Sequence, residues 1–166
     1  MALNHGVPKP RVLRRALAAL AALALPAMAW GETGSEAFDR RDYAAAAELW
    51  RAEAAEGSPE AKFGLGLIHD VGLGVPRSSA TALRWYLEAA GEGFADAQFN
   101  AAVMFDAGTG VPRNPAAAAT WYARAAANGH PRAQYNLALL YESGTGVPRN
   151  PDLARTWHEA ASPSLA

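Results

Sequence analysis

Beyond residue 29 the side chains best suited to move protons or hold a metal are three histidines, His69, His130 and His158, together with the carboxylates Asp70, Asp106 and Glu142. A metal site or an acid–base pair needs such groups to converge. The carboxylates instead stand thirty-six residues apart, and neither His69 nor His158 has a metal-ligand partner at helical spacing. His69 falls where the matching positions are Phe105 and Tyr141, and His158 where they are Tyr86 and Tyr122, so both read as ring substitutions. His130 reads as a loop residue beside Gly129. The Gly-x-Gly turns at 72–74, 108–110 and 144–146 have the outline of a phosphate loop, but they lack the second half of that motif and follow helices rather than strands. No G-x-S-x-G occurs, and with no cysteine there is no thiol nucleophile, thiolate zinc site, disulfide or lipid-modified N-terminal cysteine. The expectation is a chain with no catalytic residues, no metal and no cofactor.

The same residues point to what positions them. Gly-Val-Pro-Arg recurs at 74–77, 110–113 and 146–149, followed by Trp85, Trp121 and Trp157, and each step is thirty-six residues. Ala118, Trp121, Tyr122, Ala125 and Ala126 share one helical face, as do Ala82, Trp85, Tyr86, Ala89 and Ala90, which makes the Trp-Tyr pairs core and the segment a second helix, B. A first helix, A, is predicted from Ala95 to Ala107 and ended by Gly108-Thr109-Gly110. Pro115 and Pro151 suit the first turn of a B helix, and Asn128-Gly129 closes one before Pro131 opens the next A helix. The fold expected is all-α.

The segments AQFN…FDAGTGVPRN…A..WYARAAANGH and AQYNLALLYESGTGVPRN resemble the sel-one-like repeat, a relative of the tetratricopeptide repeat. The resemblance implies a right-handed α-solenoid of antiparallel helix pairs, with units at 59–93, 94–129 and 130–161 and a tail at 162–166. Residues 30–58 look like a degenerate leading unit, in which Leu49 replaces the Trp and Glu53 an Ala. In the last unit His158 replaces Tyr and Ser162 replaces Ala. Carried onto the matched positions, a concave partner-binding face comprises Glu60, Phe63, Leu67 and Asp70, then Asp96, Phe99, Val103 and Asp106, then Arg132, Tyr135, Leu139 and Glu142. The stripe Phe63, Phe99, Tyr135 flanked by acids suits a peptide with apolar anchors and basic flanks, unless tighter coiling buries the stripe between repeats. Leu153 and Trp157 on the final helix are expected to form an exposed terminal face through which the chain could self-associate.

Charge and the N-terminus address location and partners. The net charge is −1, but Lys9, Arg11, Arg14 and Arg15 precede every acidic residue, and the remainder carries −5. A mildly acidic body with no basic run excludes nucleic acid and anionic lipid as partners. Residues 16–25 form an apolar run of ten, too short to span a bilayer, followed by Pro26 and the Ala27-Met28-Ala29 box. This predicts a signal peptide over residues 1–29, cleaved before Trp30, and a periplasmic or extracellular protein. The function expected is a protein–protein adaptor of the bacterial cell envelope; the alternatives are a self-assembling structural subunit and, less favoured, an envelope hydrolase.

Overall fold

Helix starts and stops follow from local chemistry. The computed structural model describes residues 31–165, so the expected signal peptide and its cleavage point lie outside the described residues. Within them are eight helices: α1 (Gly34–Asp39), α2 (Tyr43–Ala55), α3 (Pro59–Val71), α4 (Ser79–Gly91), α5 (Ala95–Ala107), α6 (Pro115–Ala127), α7 (Pro131–Ser143) and α8 (Pro151–Leu165). Ser58, Ser78 and Asn114 each accept the backbone N–H three residues on, and proline occupies the first turn of α3, α6 and α7, where a missing N–H costs nothing. Odd-numbered helices are the A members of each pair and even-numbered ones the B members.

The Gly-Val-Pro-Arg motif builds the A-to-B hairpin. Gly108 ends α5 in the left-handed region at φ 70°, its N–H donating to Met104. Arg113 then folds back, its Nε donating to the Asp106 carbonyl at 2.7 Å, and Arg77 and Arg149 do the same to Asp70 and Glu142 at 2.8 and 2.9 Å. A cation on the last carbonyls of a helix satisfies free acceptors and opposes the helix dipole. Gly110, at φ 74°, has a second duty: a Cβ there would stand 2.6–2.8 Å from the backbone of Ser79 and Ala80 in α4. The hairpin of one unit therefore seats against the B helix of the unit before.

Packing follows the chain. Each helix has its main contacts with the helices immediately before and after it, which is the arrangement of an α-solenoid. Alanines at 82, 89, 118 and 125 are fully buried and let the backbones of each pair approach, while Tyr86 and Tyr122 supply the bulk. The aromatic pairs divide: the tyrosines are buried, whereas Trp85, Trp121 and Trp157 are half-buried and lean on the cluster of the preceding unit as well as their own. The leading pair has a shortened hairpin, Arg40 to Asp42, with Arg41 at φ 64°.

One polar joint recurs. Gln98, 4 % exposed, donates from Nε2 to the Ala90 carbonyl at 3.0 Å and accepts from Asn128 Nδ2 at 2.9 Å, tying the end of α4 to the end of α6. Gln134 repeats the first bond, to Ala126 at 3.2 Å, and Lys62 pairs with Glu92 at the position matching Gln98 and Asn128. Buried amides satisfied this way fix the angle between units, because each bond is directional.

Candidate functional site

The A helices carry the candidate face, and its rows differ in exposure. In the aromatic row Phe63 is half-buried, Phe99 is 6 % exposed and Tyr135 is 43 % exposed. The residue that covers each ring is the N-cap of the next A helix. Phe94 lies 5.2 Å from Phe63, centroid to centroid, and His130 stacks on Phe99 at 4.4 Å with 16° between planes. The Arg132 guanidinium also lies over the Phe99 ring, 4.8 Å from its centroid. Phe99 is thus part of the joint between repeats, not of an open groove, and the expectation that placed it on the binding face is corrected. Tyr135, the most open of the three, makes an edge contact with His158, 5.3 Å away.

The second row is the open one. Leu67 is half-buried, but Val103 is 37 % and Leu139 40 % exposed, and these three occupy one repeat position on successive A helices. With Tyr135 one turn away on α7, Leu139 extends the row's apolar surface.

The acidic row is largely committed within the chain. Asp106 pairs with Arg113 at 3.1 Å, Asp96 with His130 at 3.4 Å and Glu142 with His158 at 3.1 Å, while Glu60 accepts from the Ser58 hydroxyl at 3.2 Å. Asp70 is half-buried and raises the pKa of Tyr86 further above the phenol range, to which desolvation of the ring contributes more. Tyr122 is shifted the same way by burial. Both hydroxyls therefore stay protonated at physiological pH and offer no base. Among the described residues no group of three or more His, Asp or Glu side chains could hold a metal ion, and no helix is long and apolar enough to cross a membrane.

Three repeats of one family model cover most of this face. The Sel1 repeat matches residues 59–94, 95–130 and 131–162. The chain belongs to the Sel1 repeat family. Such repeats are non-catalytic scaffolds that generally mediate protein–protein interaction. Among solved structures, a Sel1 repeat protein from Oxalobacter formigenes is 34 % identical with a TM-score of 0.76, covering 78 % of this chain and 54 % of its own. The protective antigen c5321 of uropathogenic Escherichia coli, which displays the same repeat fold, is 29 % identical with a TM-score of 0.72, over 73 % of this chain and 26 % of its own. This Sel1 repeat chain thus spans about half of the first and a quarter of the second. Helicobacter pylori cysteine rich protein B shares the fold alone, at 16 % identity and a TM-score of 0.56, over 82 % of this chain and 93 % of its own. Here the helix pairs pack without any cysteine. Among curated proteins there is no match.

Two sequence expectations change. His130 is the N-cap of α7, its Nδ1 accepting the Ala133 N–H at 3.1 Å, rather than a plain loop residue. Its position thirty-six residues after Phe94 and directly before Pro131 was the available signal. Trp157 is not left open: it is half-buried against the cluster of Leu137 and Leu140 in its own unit, because the tryptophan side of a B helix turns backward along the array. Leu153 alone of that pair stays exposed, at 40 %.

The His130 cap makes stability depend on pH. Capping requires an unprotonated Nδ1, and desolvation lowers the His130 pKa below its ordinary 6.5 despite the opposing pull of Asp96. Below pH 6.5 the unfolded chain takes up a proton that the folded chain resists. Stability is therefore complete above 6.5 and falls as pH drops toward the folded value. Urea melts from pH 7.5 to 5 should show that decline, and His130→Asn, which keeps a capping acceptor without titrating, should flatten it. An equal decline in both proteins would assign it elsewhere.

Proposed function

We propose that this Sel1 repeat protein is an exported adaptor of the bacterial envelope that binds a protein or peptide segment along its A-helix face. The observation that carries the reading is the apolar row Leu67, Val103, Leu139, half-buried at Leu67 and exposed at Val103 and Leu139, ending beside exposed Tyr135, on a family scaffold that serves protein–protein contact. Isolated exposed apolar residues are ordinary, but recurrence at one repeat position sets them on one face of the array, where a partner can desolvate them together. The anchors it suits are aliphatic side chains spaced along an extended or helical segment. The acids beside it already face His130, Arg113 and His158, so basic flanks on the partner contribute less than the sequence alone implied.

The test compares wild type with Val103→Asp/Leu139→Asp as baits for envelope extract. Both side chains are exposed, so thermal stability should stay within about 0.5 kcal/mol of wild type. Partners held by the row should drop at least tenfold in recovery from the double variant. Equal recovery by both baits would remove the row from the binding surface. Export has its own check: N-terminal sequencing of the processed protein should begin at Trp30.

A further inference from the structure

Inside the array each B helix turns a narrow face toward the A helix that follows. On α6 it consists of Ala119, Tyr122 and Ala126, all buried in one cluster with Ala133 and Leu137 of α7. On α4 the matching residues Leu83, Tyr86 and Ala90 are buried as well. The spacing i, i+3, i+7 places each set on one side of its helix.

At these three positions α8 carries Arg155, His158 and Ser162. Arg155 and Ser162 are exposed. His158 meets the ring of Tyr135 on its own A helix at 5.3 Å, as Tyr86 and Tyr122 meet Phe63 and Phe99, but it is half-buried and polar, with Nε2 3.1 Å from Glu142. Together with Arg149 and Glu159 they line an open cleft of about 500 Å3, where the interior units carry a packed apolar seam. The helix itself is not degraded: Ala154 and Ala161, which face α7, are as buried as their counterparts at 118 and 125. Only the outward face has changed character.

We propose that the outward face of α8 is a capping face, closed to the A helix of a second copy of the chain, which leaves partner recognition to the A-helix row. An apolar A helix laid on this face would strip water from the Arg155 guanidinium and from the Glu142–His158 pair without supplying acceptors or donors in exchange. Solenoids need such polar end faces to remain discrete, because a bare repeat interface is itself adhesive. The substitutions His158 for Tyr and Ser162 for Ala are then the residues that make this face polar.

The chain has no cysteine, so a single introduced thiol reports its own surroundings. Ser162→Cys should react freely with a thiol reagent and form disulfide-linked dimers no faster than a thiol at Glu88→Cys, an exposed site on α4. Conversely, Arg155→Leu/His158→Tyr/Ser162→Ala, which restores the interior pattern, should at least double the mass of the chain in light scattering at equal concentration, with helical circular dichroism retained. Faster dimerisation of Ser162→Cys than of the control, or a folded triple variant with the mass of wild type, overturns the proposal. Should the triple variant lose its helical signal, the thiol comparison decides by itself.

Discussion

Phe99→Ala is expected to destabilise the protein by about 3–5 kcal/mol. The ring is 6 % exposed and fills the joint between two units: Tyr122 lies 5.9 Å away, His130 stacks on one face at 4.4 Å and Arg132 covers it at 4.8 Å. Removing it leaves a cavity that collapse cannot readily close, since the Gln98–Asn128 joint holds the ends of α4 and α6 in place. For a domain of this size each kcal/mol moves Tm by roughly 2–8 °C, so the fall should be about 10 °C or more. The same truncation at Tyr135 is the control, because the two residues occupy one repeat position. Tyr135 is 43 % exposed and gives up chiefly its edge contact with His158, about 0.5–1.5 kcal/mol. Thermal melts of both variants check the contrast. A Phe99→Ala protein that melts like wild type would return the ring to the groove.

The contrast shows where sequence reading reaches its limit. Periodicity says which residues occupy one repeat position, as Phe63, Phe99 and Tyr135 do. It does not say which face another unit covers. The cover comes from residues outside the helical face, Phe94 and His130, which sit at the turns before α5 and α7. Local chemistry was far more legible: the predicted A helix from Ala95 to Ala107 is α5 to the residue, because a left-handed glycine and the Gly-Val-Pro-Arg hairpin admit little else.

Direction along the array was the second thing that spacing could not supply. Trp157 repeats Trp85 and Trp121 in sequence, and all three lean toward earlier residues, so its half-burial needs no later unit. The forward face is defined by positions 155, 158 and 162, two of which had already stood out as departures from the repeat. Read as tolerated substitutions one at a time, they carry no message. On one helical face beside Glu142 and Arg149, they make a polar surface.

A matched exchange at the other end of the array gives the second large effect. Trp50 occupies the position of Tyr86 and Tyr122, and Gly64 that of Asn100 and Asn136. A Cβ on Gly64 would stand 2.6 Å from Cδ2 and Cε2 of the indole, and Gly34 presses on the ring from α1, so the 5 % exposed Trp50 has nowhere to withdraw. Gly64→Asn should therefore cost about 3 kcal/mol or more, at the upper end for overpacking. Trp50→Tyr alone should cost about 1–3 kcal/mol, because the smaller ring leaves space between two glycines. Made together, the two changes recreate the residue pair of the interior units, a buried tyrosine on the B helix and an asparagine on the A helix that follows. The double variant should then be more stable than Gly64→Asn alone, with a favourable coupling of roughly 0.5–3 kcal/mol in a double-mutant cycle read from urea midpoints. Strict additivity of the two losses would mean that the glycine is not there to make room for the indole.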